Sequence, residues 1–434
     1  MKSNLASIAL RLVLLVSLLQ SCGKKDEPAP AGPNAPNNPA PAVPQQLAGN
    51  PALNRFILTS KDEEITRVDP ATGKHETIFS FEKYADVASI DYLNGVMYAG
   101  AEDNSVNAID LQSKKLLWDI PLIEYDLTTT SNQKAVVKEG VCYAVGYAGV
   151  LVAADIATGK PLWAYPLDPT GRTDGYFPTS QITVTADKII IGSTQTVFYE
   201  GERNYVYVLN RATGKLIWRK ALPKDKWVSG AIRLAGNTLL VPANNLYALD
   251  INAGNVLWEV ALQYSNSGRG VGSPVVAGDR VLVHGAVGII DGRLVCLDLP
   301  TGRKIWEIDA GTDYVGRYAP LVVGNFVFGV HERGVSSSWN GRPFLADIAT
   351  GQLIWANDDV SMDTSPVYAN GRLYFHGQTF KGGGSTDDRV GLLSLEAATG
   401  KFLWVNNYFR YGSSVTPIVI ADNGTFRPGY YAVE

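Results

Sequence analysis

One short pattern recurs along this 434-residue chain and constrains its fold more than any other feature. The decapeptide ADIATGKPLW, which begins at Ala154, returns as ADIATGQLIW at Ala346 with seven identical letters. The shared motif is an acidic residue or Asn, then a Thr-Gly pair or its equivalent, then a tryptophan eight positions after the first residue, except that the first copy has Thr77 there. The spacing between successive motifs ranges from 40 to 55 residues, and the eight copies start at Asp69, Asp110, Asp155, Asn210, Asp250, Asp298, Asp347 and Glu396. Such a period indicates an array of similar supersecondary units.

The sequence around each motif predicts four short strands. Near Asp298, the segments SPVVAGDRVLVHG, GRLVCLDL and KIWEID alternate apolar and polar residues and contain Gly at the turns. Four antiparallel strands in every repeat are typical of a propeller blade. The first repeat, from Arg55, lacks an innermost strand, and SVTPIVIA near the C terminus matches the missing segment. We therefore expect an all-β, eight-bladed β-propeller of four-stranded antiparallel blades, with its ring closed by the C-terminal strand.

Seven of the nine tryptophans occupy the aromatic position of the motif. The motif Gly permits a positive φ in a tight turn, and the acidic residue can accept hydrogen bonds from amides of that turn. A tryptophan on the fourth strand offers a large apolar surface and one N–H donor, which suits packing against the next blade. We expect this structural docking role, rather than ligand stacking, for Trp118, Trp163, Trp218, Trp258, Trp306, Trp355 and Trp404.

The N terminus has the pattern of an export signal. Lys2 and Arg11 flank a polar start, an apolar run covers Leu12 to Leu19, and LQSC ends at Cys22. A small residue before cysteine resembles the lipobox of bacterial lipoproteins, whose cysteine is diacylated; the alternative is an ordinary signal peptide with a chance cysteine. Pro-rich sequence follows. The expected organisation is a signal peptide at 1–21, lipidated Cys22 with a disordered tether at 22–50, and a propeller at 51–434.

The repeated run SPVV, Gly, Leu-Asp, Thr-Gly and Trp resembles the PQQ-like (pyrroloquinoline-quinone) propeller repeat. That resemblance covers residues 51–434 and implies one of two classes. One comprises quinoprotein alcohol and sugar dehydrogenases; the other comprises non-enzymatic BamB-like lipoproteins of the outer-membrane barrel-assembly machine. Cys142 and Cys296 are not adjacent, and no Cys-x-x-Cys-His motif is present. The vicinal disulfide and haem features of many quinoprotein enzymes are therefore missing, and we expect neither cofactor nor catalysis.

The expected function is a non-catalytic, lipid-anchored scaffold that binds a protein partner of the cell envelope, BamB-like in outer-membrane protein assembly. The alternative is a PQQ- or small-ligand-binding protein, or a quinoprotein-type dehydrogenase, that uses the channel mouth. A net charge of −4 argues against nucleic acid as the main partner. We expect a monomeric propeller on the outer membrane, facing either the periplasm or the cell surface and held by its lipid alone.

The blade-to-blade links and the longer loops fall on one face of such a ring, which is the expected binding face. Arginine and aromatic residues are enriched at binding hot spots, and the candidates on these links are Tyr176, Trp227, Arg269, Arg317, Tyr318, Asp363 and Arg410. Three histidines, His284, His331 and His376, end the second strands of consecutive blades. Strand ends of neighbouring blades diverge, so we expect no metal site among them.

Overall fold

Short strands joined by tight turns make up nearly all of the described protein. The computed structural model describes residues 45–81, 86–101, 105–122, 134–146, 149–167, 176–178, 180–195, 203–222, 228, 230–243, 245–262, 271–286, 292–311, 319–331, 341–380, 389–409 and 415–429. The helical elements in these ranges are 3₁₀ turns at Gln45–Leu47, Pro51–Leu53 and Asn407–Phe409. Within the same ranges, no helix has the length and apolar character needed to cross a bilayer.

The strands form eight antiparallel sheets, which are the blades of the propeller. Blade 1 contains β1 (Asn54–Lys61), β2 (Glu64–Val68) and β3 (His75–Ser80). Blade 2 contains β4 (Val87–Leu93), β5 (Val96–Ala101), β6 (Ser105–Asp110) and β7 (Lys115–Pro121). Blade 3 contains β8 (Lys134–Lys138), β9 (Val141–Val145), β10 (Val150–Asp155) and β11 (Pro161–Pro166). Blade 4 contains β12 (Tyr176–Pro178), β13 (Thr183–Val184), β14 (Lys188–Gln195), β15 (Arg203–Asn210) and β16 (Leu216–Ala221).

The second half of the ring repeats the same plan. Blade 5 contains β17 (Arg233–Ala235), β18 (Thr238–Pro242), β19 (Leu246–Asp250) and β20 (Val256–Val260). Blade 6 contains β21 (Val275–Ala277), β22 (Arg280–Ala286), β23 (Gly292–Asp298) and β24 (Lys304–Gly311). Blade 7 contains β25 (Leu321–Val323), β26 (Phe326–His331), β27 (Arg342–Asp347) and β28 (Leu353–Ala356). Blade 8 contains β29 (Val360–Met362), β30 (Val367–Ala369), β31 (Arg372–Thr379), β32 (Arg389–Glu396) and β33 (Phe402–Asn406).

The C-terminal strands β34 (Ile418–Ala421) and β35 (Gly424–Phe426) complete blade 1. β34 pairs with β1, placing Val419 opposite Ile57 and Ile418 opposite Leu58. The predicted eight-bladed ring and its closure by the C-terminal strand are therefore confirmed. The sequence did not predict β35, which folds back on β34 and makes this sheet five-stranded.

The hydrophobic core is divided into eight clusters, and each fills the seam between two neighbouring blades. Period-2 alternation along the strands explains this division. In β22, Val281 and Val283 pack toward blade 5, whereas Leu282 packs toward blade 7. Each blade thus buries both of its faces against its neighbours, so a single blade has no complete core of its own.

A β-bulge precedes the motif tryptophan in each of the seven blades that carry one. In blade 6, Trp306 lies opposite Cys296 and Lys304 opposite Leu297, so Ile305 has no partner residue. A bulge increases the twist of an edge strand and redirects its side chains. The motif therefore combines a turn, a bulge and a tryptophan. The spacing of the motif residues in the sequence did not predict the bulge.

Candidate functional site: blade seams and the ends of the channel

The Thr-Gly turn of each motif is a compact hydrogen-bonded unit. In the copy at Asp155, the side-chain Oδ1 accepts hydrogen bonds from the Thr158 amide at 2.9 Å and the Thr158 hydroxyl at 2.7 Å. The Gly159 amide donates to the Asp155 carbonyl at 2.9 Å, and Gly159 has a φ of 69°. The bonds from Thr158 hold the pKa of the Asp155 carboxyl below its usual value. The turn thus presents a charged carboxylate that is already occupied by its own loop.

In seven of the eight blades, the backbone amide of the residue after the motif Asp, Asn or Glu connects two turns of the same blade. The Leu299 amide donates to the Asp279 carbonyl in the β21–β22 turn at 2.8 Å, and the Ile348 amide donates to Asn325 at 2.9 Å in blade 7. The first–second and third–fourth strand turns therefore lie together on one side of the ring. We call this side the turn face and the opposite side the loop face.

The seven motif tryptophans join successive blades on the turn face. Each indole Nε1 donates to a backbone carbonyl of the next blade at 2.7 to 3.1 Å, in the pairs Trp118–Ile156, Trp163–Arg211, Trp218–Ile251, Trp258–Leu299, Trp306–Ile348, Trp355–Ala397 and Trp404–Pro70. Each indole ring also covers the motif Gly of that next blade. At Gly302, an added Cβ would lie 2.7 Å from the Trp258 ring. These indoles are engaged in blade contacts.

One seam contains a buried arginine where the other repeats have an aliphatic residue or proline. Arg211, only 9% exposed, donates from Nε to the Tyr143 hydroxyl at 2.8 Å and from Nη1 to Glu139 at 2.8 Å. The guanidinium also donates to backbone carbonyls of blades 3 and 4, including that of Thr185 in blade 4. A cavity of about 360 Å³ lies beside it, next to Trp163. Because partners surround the guanidinium, it links blades 3 and 4 rather than offering a free cation.

The structure describes two of the seven binding-face candidates. Tyr176 begins β12 and lies opposite Gln195 of β14. Asp363 directly follows β29, and its amide donates to the His376 carbonyl at 2.7 Å. Its side chain reaches solvent, yet surrounding protein partly desolvates the carboxyl and raises its pKa to about 6. The remaining candidates lie outside the described residues, as does Cys22: Trp227, Arg269, Arg317, Tyr318 and Arg410.

The three histidines are buried, and only His331 ends its strand, whereas His284 and His376 lie inside β22 and β31. His284 is fully buried, and burial lowers its pKa to about 3. His376 is 5% exposed, its Nε2 lies 2.7 Å from the Thr59 hydroxyl of blade 1, and burial lowers its pKa to about 3 as well. His331 lies 3.5 Å from Asp358. Within the described ranges, no set of three His, Cys, Asp or Glu residues has the geometry of a metal site.

The first strand and the C-terminal hairpin meet blade 8 on the turn face. Leu47 is fully buried in the core between blades 7 and 8 and so packs on the propeller. Asn370, in the β30–β31 turn, donates to the side chains of Asn54 and Asn423 at 2.9 Å each. Blade 8 is thereby bonded to the first strand and to the C-terminal hairpin at the point where the ring closes.

The central channel has a cavity of about 520 Å³ on the turn face, lined by aliphatic side chains and two arginines. Its lining comes from the innermost strands of five blades and from the C-terminal residues, namely Leu93, Val137, Arg233, Val275, Val276, Leu321, Val322, Arg427, Pro428 and Gly429. Arg427, Pro428 and Gly429 form the C-terminal arm, which sequence reasoning missed. The one signal for this arm in the sequence was Asp91, an acidic residue in a mainly apolar innermost strand that would need a counterion.

The described residues do not fit pyrroloquinoline quinone, the cofactor implied by the quinoprotein resemblance. That group carries three carboxylates, whereas the two arginines of the cavity wall, Arg233 and Arg427, already have partners and its other residues are aliphatic or Gly. Cys142 and Cys296 are both free and buried, and they lie in blades 3 and 6. Burial raises the pKa of both thiols, that of Cys296 to about 11. We therefore derive no catalytic step through this cofactor.

Comparison with known families gives one match along most of the chain. A family model described as "Outer membrane protein assembly factor BamB" matches residues 46–185 and 179–406. The curated BamB of Yersinia pestis is 25% identical over 290 residues, which cover 64% of this chain and 66% of that protein. The BamB of Escherichia coli K12 is 26% identical over 309 residues, which cover 68% and 70%.

An enzyme is also among the similar proteins. The dehydrogenase subunit of the quinone alcohol dehydrogenase of Acetobacter aceti is 25% identical over 334 residues, 65% of this chain but only 42% of the subunit. Among solved structures, BamB from Moraxella catarrhalis has a TM-score of 0.54 at 16% identity, covering 75% of this chain and 88% of that one. A europium-containing methanol dehydrogenase has a TM-score of 0.56 at 13% identity, covering 74% and 81%. At these identities, the structural likeness shows the fold alone.

Proposed function

Because the chain belongs to the family of the outer membrane protein assembly factor BamB, we propose that it is a non-catalytic scaffold that binds a partner in outer-membrane protein assembly. The observation that carries this proposal is the extent of the family match, which spans residues 46–406 and so nearly the whole propeller. A propeller by itself does not determine a function. The proposed class of partner therefore comes from the family, and the proposed docking surface comes from the residues of this chain.

The loop face is the proposed docking surface. On the turn face, the Asp-Thr-Gly carboxylates, the indole donors and the chain ends are bonded within the propeller. The sequence assigns the links and long loops to the opposite face, and insertions on one face of a repeat array commonly form its binding surface. The candidates that the sequence predicts for this face are Tyr176, Trp227, Arg269, Arg317, Tyr318, Asp363 and Arg410. Aromatic and arginine side chains suit a protein interface.

Lipid attachment at Cys22 is proposed to hold the scaffold at the outer membrane. The residues after Cys22 form the Pro-rich segment of the sequence, which suits an extended spacer. Replacing Cys22 with Ala should move the protein from the membrane to the soluble fraction and abolish labelling by a fatty-acid probe. Unchanged membrane association and labelling of Cys22→Ala would contradict this part of the proposal.

Co-purification tests the scaffold role. Affinity purification of the full chain from cross-linked membranes should recover an outer-membrane assembly component. The double variant Arg269→Glu/Arg317→Glu should reduce that recovery at least tenfold, since charge reversal at an interface removes favourable contacts and adds repulsion. Arg303→Glu is the matched control, because Arg303 is an exposed residue of a Thr-Gly turn on the turn face. Equal loss in both variants, or none in either, would count against the loop face.

The similarity to the quinone alcohol dehydrogenase subunit favours one second candidate, a quinone-dependent dehydrogenase. Titration of the purified chain with pyrroloquinoline quinone and calcium distinguishes the two. The scaffold proposal predicts no saturable absorbance change and no alcohol-dependent dye reduction. Saturable binding together with turnover would replace the scaffold proposal with the enzyme.

A further inference from the structure

The C-terminal arm crosses the turn-face end of the channel. Beyond β35 of blade 1, Arg427 reaches blade 2, where Nε and Nη2 donate to Asp91 Oδ1 at 3.0 and 2.8 Å. Its Nη2 also donates to the Tyr92 carbonyl at 2.7 Å. Two residues later, Gly429 lies against blade 7, so close that a Cβ would be 2.4 Å from the Pro320 carbonyl oxygen. The arm therefore contacts two blades that lie on different sides of blade 1.

Asp91 is an unusual residue for its position. It is fully buried two residues before the end of an innermost strand, where blades 6 and 7 have Val275 and Leu321. Its second oxygen accepts a hydrogen bond from the Val137 amide of blade 3 at 2.8 Å. A buried carboxylate is costly unless it is paired and hydrogen-bonded. Arg427 provides that pairing, so the acidic residue and the arm depend on each other.

The arm also forms one wall of the cavity of about 520 Å³. The opposite walls include the aliphatic side chains Leu93, Val137 and Val275, together with Arg233. Pro428 is buried, which shows that the arm packs into the channel rather than lying over it. Removing the arm would therefore expose apolar surface from the innermost strands of several blades.

We propose that the C-terminal arm is a strap that closes the turn-face end of the central channel, and that the Asp91–Arg427 ion pair holds it closed. Its release exposes the aliphatic side chains of the innermost strands at the axis. While the strap is closed, it hinders access of partners and small molecules to these side chains from the turn face. This inference rests on the arm's own contacts and is independent of the proposed partner.

Two measurements on purified full-chain variants test the strap. One is the rate at which carboxypeptidase removes C-terminal residues; the other is binding of the neutral apolar dye N-phenyl-1-naphthylamine, followed by fluorescence. Arg427→Gln should raise both the digestion rate and the dye affinity at least tenfold. Arg55→Gln is the matched control, because Arg55 forms an exposed ion pair with Asp422 of the same hairpin. It should behave like the parent protein.

A second variant addresses folding. Arg427→Gln leaves Asp91 buried without its counterion, so Asp91→Asn/Arg427→Gln restores neutrality while still removing the ionic hold. Circular dichroism establishes that the double variant is folded. Gly429→Val is an independent route, since its side chain would overlap the Pro320 carbonyl without touching the ion pair. Parental digestion rates and dye affinities in the folded double variant and in Gly429→Val would overturn the strap.

Discussion

Two glycines of blade 6 allow the cost of a left-handed backbone in a turn to be measured apart from the cost of overpacking a blade seam. Gly302 has a φ of 70° and Gly278 a φ of 61°, so both have backbone conformations that alanine adopts poorly. A Cβ at Gly278 would meet nothing within 4 Å. A Cβ at Gly302 would lie 2.7 and 2.8 Å from two ring atoms of Trp258. We therefore predict that Gly302→Ala is more destabilising than Gly278→Ala.

The magnitudes follow from the two contributions. A left-handed backbone costs alanine about 1–2 kcal/mol, and the less flexible unfolded chain offsets about 0.4–1 kcal/mol of this. Gly278→Ala should then lower the free energy of unfolding by about 1 kcal/mol. At Gly302, overpacking adds about 1–3 kcal/mol. The indole cannot simply retreat, because its N–H bond to Leu299 holds it at 2.8 Å.

Urea unfolding at 25 °C, monitored by tryptophan fluorescence and circular dichroism, measures both variants against the parent protein. We expect Gly302→Ala to lose about 2–4 kcal/mol in total, with an unchanged dependence of the free energy on urea. Losses that agree within about 0.5 kcal/mol for the two variants, a typical additivity error, would refute the seam-packing argument.

Three further outcomes follow from the same structure. Trp258→Phe should cost about 1–3 kcal/mol in urea unfolding, because the partly buried Leu299 carbonyl loses its donor; a change below about 0.3 kcal/mol would contradict the contribution of this bond. Deletion of 415–434 removes β34 from β1, so calorimetry should show a large fall in melting temperature, and a truncated chain as stable as the parent would refute ring closure. His284 is neutral when folded, since burial lowers its pKa to about 3, whereas the unfolded side chain binds a proton near pH 6.5. The unfolded state therefore takes up more protons below that pH, and stability should fall on acidification from about pH 6.5 toward pH 3, by up to about 1.4 kcal/mol per pH unit for this group. His284→Leu should flatten the stability profile in that window, and an unchanged slope would show that His284 does not contribute to it.

The periodic pattern of the repeats predicts which face carries the links but not which side chains pair across the blade seams. Period-2 alternation and the Thr-Gly spacing assigned the links to one face because both are local, periodic signals. These periodic signals do not show which residues make one blade seam different from the others. Arg211 stands out in the sequence as a charged residue after a motif Asn, yet its bond to Tyr143 joins residues 68 positions apart. The identity of its partner depends on how blades 3 and 4 pack.

By itself, the sequence determined the number of blades, their four-stranded composition and the C-terminal closure of the ring, because each follows from hydrophobic patterns and turn residues within one repeat. Only the tertiary structure decided that each indole N–H reaches the next blade and that Asp91 pairs with Arg427, 336 residues away. Such contacts join segments with no common local pattern. The ion pair forms because ring closure places the segment after β35 of blade 1 beside blade 2, where the buried Asp91 carboxylate requires a counterion.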